Sequence, residues 1–72
     1  MRKNARLPKV ISKRIKKYRK ELKITQDEVA YKVGISRAYM GFIEQGRNTP
    51  SLKVLQKIAR VLKTSASELL KS

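Results

Sequence analysis

The sequence predicts an all-α domain of five short helices, and three observations carry that expectation. Apolar residues recur at intervals of three and four along most of the chain and nowhere alternate over a useful length. Thr25, Ser36 and Ser65 each stand at the head of an apolar-periodic segment, where a side-chain oxygen can cap a helix. Gly34 and Gly46 stand where two of those segments end.

The first helix is expected from Lys9 or Val10 to Leu22. Ile11, Ile15, Tyr18 and Leu22 follow one another at four, three and four residues, which makes a single helical stripe. Lys13, Arg14, Lys16, Lys17 and Lys20 fall between them on the wet side. The eight residues before it, MRKNARLP, read as a flexible basic arm that Pro8 ends, so the domain proper is expected over 9–72. Thr25 caps the second helix. Glu28, three residues on, is its reciprocal partner in a capping box that starts the helix at Gln26. Val29, Ala30 and Val33 line one side of it, Gly34 breaks it, and Ile35 plugs the corner. Ser36 opens the third helix, whose apolar face is Met40 and Ile43. Gly46, after Gln45, suits the left-handed residue that ends it.

After the loop RNTP, the fourth helix is capped either by Thr49, with Pro50 in the first helical position, or by Ser51 alone. Leu52, Leu55, Ile58, Ala59 and Leu62 form its expected buried face. Ser65 and Glu68 make a second capping box for a short last helix that turns Ala66, Leu69 and Leu70 inward. Val29, Val33, Ile35, Met40 and Ile43 are expected in the core.

The second and third helices are too short to hide two apolar faces unless they cross closely. Ala30 and Gly34 supply the small side chains where they meet. Such a pair is a helix-turn-helix, a motif that commonly places its second helix in the major groove of DNA. The charge agrees. The chain carries +14 in 72 residues, and residues 1–23 hold eleven Lys and Arg against the single acid Glu21. A field of that strength concentrates a polyanion and speeds encounter with it.

Composition removes other classes. With no cysteine and no histidine, a disulfide and a Cys/His metal centre are both impossible, and no metal or cofactor is expected. Seventy-two residues make one small domain, which buries only about 60–65% of its extended surface. Five scattered acids, three of them assigned to caps or a structural pair, leave catalysis no foothold. No apolar stretch follows the basic start, and none reaches the ~20 residues that span a bilayer, so the cytosol is the expected address.

The chain resembles the phage-repressor and Cro-like family of helix-turn-helix domains. The likeness rests on RIKKYR at 14–19, ITQDEVAYKVGIS at 24–36, IEQGR at 43–47, PSLKVLQKIARVL at 50–62 and SELL at 67–70. It implies a compact five-helix, lambda-repressor-like domain that binds operator DNA, usually as a dimer over a two-fold symmetric site. Gln26 is similar to the family's glutamine that bonds the DNA backbone and braces the recognition helix. Arg37 and Ala38 match early recognition-helix positions that face base edges. Arg19 and Glu44 match an arginine and glutamate that pair between the first and third helices. The chain departs from the family's pattern at Lys23, where glycine is frequent, at Gly41 inside the recognition helix, and at Phe42, where many relatives are polar.

On these grounds Arg37, Ala38 and Phe42 are the expected base contacts. The fork of Arg37 fits the two acceptors of guanine, with a phosphate clamp as its alternative use, while Ala38 and Phe42 offer carbon to a thymine methyl. Gln26, Ser36, Tyr39, Arg47 and Asn48 are the expected phosphate contacts. Ser36 is a cap first. Tyr39 alternatively packs its ring on the domain surface, and Gln26, Arg47 and Asn48 alternatively stand in solvent. The expected function is sequence-specific double-stranded DNA binding by a transcriptional regulator, a repressor at a bacterial or phage operator. The working form is expected to be a homodimer, because one domain touches too few base pairs to select a site. Val54, Val61 and Leu70 are the apolar residues available near the two-fold axis. The rival function is a protein-interaction module, an antitoxin partner or transcription adaptor, with Phe42, Val54 and Val61 as its patch.

Overall fold

Five helices form, in the order α1 (Arg6–Leu22), α2 (Gln26–Val33), α3 (Arg37–Glu44), α4 (Leu52–Val61) and α5 (Ala66–Leu69). The computed structural model describes residues 6–71. α1 begins earlier than the Lys9 or Val10 start that Pro8 suggested. Pro8 falls inside the first turn, where an N–H has no partner within the helix, so the missing donor costs nothing. Of the expected arm, residues 1–5 lie outside the described residues and 6–8 are helical.

Local chemistry ends and starts the next elements. Lys23 closes α1 in the left-handed region at φ 58°, and the Ile24 N–H reaches back to the Arg19 carbonyl at 3.2 Å. Lysine here takes a left-handed turn that glycine accommodates with less strain. The capping box of α2 is complete. The Glu28 N–H donates to Thr25 Oγ1 at 3.1 Å and the Thr25 N–H to Glu28 Oε1 at 2.8 Å. Gly34 ends α2 at φ 86°, with the Ile35 N–H on the Ala30 carbonyl at 3.0 Å. Ser36 caps α3 by accepting the Tyr39 N–H at 3.0 Å, and Gly46 ends the turn after it at φ 74°.

Ser51 caps α4, accepting the Val54 N–H at 3.2 Å, and Pro50 is buried just before it. Leu52, expected inside, is 61% exposed. Periodicity fixes its angle about the helix axis, but not whether a neighbour reaches that first turn. In α5 only half of the second capping box forms. The Glu68 N–H donates to Ser65 Oγ at 3.2 Å. The Glu68 carboxylate turns instead to Tyr18 Oη at 3.3 Å, Arg14 Nη2 at 3.6 Å and Lys71 Nζ at 2.9 Å. Cations and a hydroxyl outcompete one backbone amide, and α5 is thereby stapled to α1. Leu70, expected inside, is exposed.

The helices pack in a closed cycle: α1 on α3, α3 on α2, α2 on α4, α4 on α5 and α5 on α1. Ile11, Ile15, Val29, Ala30, Val33, Met40, Ile43, Leu55, Ile58, Ala59, Leu62 and Leu69 fill the space they enclose. Tyr18, Leu22, Ile24, Ile35, Val54 and Val61 close its edges. Twelve apolar residues fill the interior against two buried polar ones, Ser12 and Glu44, so burial of carbon surface is the main stabilising contribution.

Candidate nucleic-acid interface

α3 has two sides with opposite fates. Met40, Ile43 and Glu44 are buried, whereas Arg37, Ala38, Phe42 and Gln45 are exposed and Gly41 lies half-exposed between them. Positions i, i+1, i+4, i+5 and i+8 share one face because four residues advance a helix by little more than a turn. α3 is therefore fixed along its inner side and presents a continuous outer stripe.

The fixing is polar as well as apolar. Arg19 clasps Glu44 with two parallel bonds, Nε to Oε2 at 2.7 Å and Nη2 to Oε1 at 2.9 Å. Gln26 Nε2 donates a third bond to Oε1 at 3.2 Å, and Arg19 Nη1 reaches the Ile24 carbonyl at 3.2 Å. The Ser12 hydroxyl donates to the backbone carbonyl of Glu44. Three helices thus meet at one carboxylate, α1, the start of α2 and the end of α3, and Arg19 ties in the turn before α2 as well. The Arg19 guanidinium has its pKa raised above the ordinary value, chiefly by the hydrogen bond it donates to Glu44 and against the cost of burial.

Gln26 braces α3 directly. Its side chain is half-buried, and its Oε1 lies 3.8 Å from where a β-carbon on Gly41 would stand. No helix crowds Gly41, so packing inside the domain does not require the glycine. Ser36 holds its oxygen on the Tyr39 amide, as a cap. The Tyr39 ring is half-buried and packs against the core. Phe42 is exposed, with the Arg47 guanidinium over its ring at 5.0 Å. Arg47 Nη1 also donates to Gln45 Oε1 at 3.3 Å, and exposed Asn48 lines the same shallow surface as Phe42 and Arg47.

Arg37 has a partner that local patterns in the sequence did not reveal. Its Nε donates to Asp27 Oδ1 at 2.8 Å, joining the first turns of α2 and α3. The two lie ten residues apart, so no helical spacing announces them. Gly34 and Ile35 were the available signal, because a tight turn sets the angle at which the two short helices cross and so which of their residues meet. Among the described residues no cluster of acids could hold a metal ion, and no helix is long and apolar enough to cross a membrane.

Two capped helices joined by a left-handed glycine, the second anchored inside and exposed outside, define a helix-turn-helix domain of the kind found in transcription regulators. The chain belongs to the helix-turn-helix family, whose model matches residues 15–69, and that family is one of DNA-binding regulators of transcription and not of enzymes. It is 41% identical over 56 residues to an uncharacterised HTH-type transcriptional regulator of Archaeoglobus fulgidus, covering 78% of this chain and 79% of that one. It is 44% identical over 52 residues to the immunity repressor protein of Bacillus phage phi105, covering 72% of this chain but 36% of the repressor. Among solved structures, the N-terminal DNA-binding domain of SinR from Bacillus subtilis superposes with a TM-score of 0.80 at 38% identity, over 86% of this chain and 91% of that one.

Proposed function

We propose that this protein reads a specific double-stranded DNA sequence and represses transcription from the operator that contains it. The observation that carries this is the outer stripe of α3, which offers Arg37, Ala38, Gly41 and Phe42 to solvent while Met40, Ile43 and Glu44 lock its other side. A rigid helix with free side chains on one face is what a major groove admits. Arg37, Ala38 and Phe42 supply the base contacts. Gln26, Ser36, Tyr39, Arg47 and Asn48 supply the phosphate contacts, and the net charge of +14 supplies the long-range attraction. The repressor assignment draws on the similarity to the phage immunity repressor. The similarity to a regulator from Archaeoglobus widens the possible setting of the operator beyond bacteria and phages.

The working form is a homodimer on a two-fold site, paired through α4 and α5. Val54 and Val61 are half-buried against the core, which leaves Leu52 in α4 and Leu70, just after α5, as the large exposed apolar residues there. A face that small, on a chain of this charge, favours pairing on DNA over pairing in solution. The same burial weakens the adaptor alternative, since two of its three patch residues serve the core.

Selection of bound duplexes from a random library tests the proposal. The expected result is an inverted repeat with half-sites ~34–36 Å apart. On that duplex, about six neutralised phosphates give a slope near −5 for log K against log salt. Equal affinity for selected and scrambled duplexes at every salt concentration refutes sequence reading. A one-to-one complex on a site without a repeat refutes the dimer.

A further inference from the structure

Arg37 carries its donors on three nitrogens, and the structure occupies one of them. Nε is held by Asp27 Oδ1 at 2.8 Å, while Nη1 and Nη2 make no hydrogen bond to protein among the described residues. Both side chains are exposed, Arg37 by 74% and Asp27 by 58%. A pair in that position adds little to folding stability. Its consequence lies in where it aims the guanidinium.

We infer that Asp27 is a specificity-determining positioning residue, which grips Arg37 by Nε and leaves the Nη1–Nη2 edge to read a guanine. This rests on the proposed DNA-reading function and names the base. Two donors side by side match the two major-groove acceptors of guanine, O6 and N7, whereas adenine offers one acceptor and one donor there. Asp27 also decides between the two uses of Arg37. A phosphate clamped by this guanidinium would come close to the Asp27 carboxylate and be repelled by a like charge. A guanine edge carries partial charges only and escapes that repulsion. Holding the guanidinium before DNA arrives reduces the rotamer freedom lost on binding.

The rest of the stripe makes this contact singular. Ala38 and Gly41 have no hydrogen-bonding side chain, and Phe42 presents a ring. Gln45 lies just past the end of α3, and its Oε1 accepts a bond from Arg47 at 3.3 Å. Arg37 is thus the one strong hydrogen-bonding reader of α3, and each half-site is centred on a single required guanine.

The experiment measures base preference by the full chain, wild type and variants, on the selected duplex with each base in turn at the required position. A scrambled duplex gives the non-specific affinity. Asp27→Asn keeps the shape and removes the charge. It is expected to cut the preference for guanine over adenine about tenfold while non-specific affinity rises. Arg37→Ala is expected to abolish the preference, and Asp27→Asn on top of Arg37→Ala to change it no further. Unfolding midpoints of these variants should match wild type, since both side chains are exposed. A merely structural Asp27 would instead lower specific and non-specific binding together.

If Arg37→Ala removes the guanine preference and Asp27→Asn leaves it intact, the positioning role is overturned and the DNA-reading function stands. If Arg37→Ala leaves the preference intact, Arg37 is not the reader and the inference falls with it. If wild type selects no sequence, the proposed function fails as well.

Discussion

Replacing Glu44 with alanine removes the carboxylate at which α1, α2 and α3 meet. The Glu44 side chain is 3% exposed and that of Arg19 16%. Three hydrogen bonds disappear, two from Arg19 and one from Gln26. The guanidinium remains in place with the Ile24 carbonyl at 3.2 Å as its one acceptor. Stranding a buried charge costs about 3–5 kcal/mol. The surviving bond and the residual exposure of Arg19 put this case near the lower end, at ~3 kcal/mol. A domain of this length has a total stability of roughly 4–11 kcal/mol, so the variant stays folded in the cold with little margin. The melting temperature should fall by about 12–24 °C, taking ~4–8 °C per kcal/mol. Urea unfolding followed by far-ultraviolet circular dichroism measures the loss directly. An Arg19→Ala variant and the double variant complete a cycle, in which the double variant should lose well under the sum of the singles. A loss below about half a kcal/mol for Glu44→Ala, the range of an exposed pair, would refute the claim that this pair joins the helices.

Gly41→Ala should raise stability by ~0.5–1 kcal/mol, because the added methyl meets only Gln26 Oε1 at 3.8 Å while helix propensity improves. Its affinity for the selected duplex should nonetheless fall, since the glycine serves the outer stripe; a gain in both would show that the stripe tolerates bulk there. Lys23→Gly and Lys63→Gly should each stabilise by about 0.5–1 kcal/mol, relieving left-handed lysines at φ 58° and 60°, and a loss in urea midpoint for either would contradict the strain. The contribution of Glu28 and Glu68 to stability should be complete well above pH 4.5 and decline as acid is added. The Thr25 amide and then its hydroxyl hold the Glu28 carboxyl below its ordinary 4.5, and Lys71 does so for Glu68. A depressed carboxyl stabilises fully above its unfolded value and loses that contribution as pH falls through its folded one, so urea midpoints rising on acidification from pH 5 would reverse the sign and defeat the assignment.

Features that depend on near neighbours were legible along the chain. The stripe Ile11, Ile15, Tyr18 and Leu22 follows from helical geometry. The Thr25–Glu28 box spans three residues, and Gly34 and Gly46 adopt a backbone that their lack of a β-carbon permits. Such interactions are complete within one turn, so the chain displays them in one dimension. The Arg19–Glu44 pair, 25 residues apart, was legible chiefly through the family resemblance, helped by the places of Arg19 beside Tyr18 and of Glu44 beside Ile43.

Tertiary structure decided the outcomes that require competition between distant groups. Ser65 and Glu68 satisfy the capping-box pattern, yet Arg14 and Tyr18, 54 and 50 residues away, help Lys71 draw the carboxylate off, and Arg14 Nε also holds the Glu68 backbone carbonyl. Leu52 has the phase of a core residue, but packing assigns burial along the helix axis as well as around it, and its turn is left uncovered. The Gln26 amide, free by sequence, gives one of its two N–H donors to Glu44. Asp27 and Arg37 become partners only because α2 and α3 cross with their first turns together. Each of these depends on which groups the fold brings within about 3 Å, and hydrogen bonds of that range go to whichever partner arrives with the better charge and geometry.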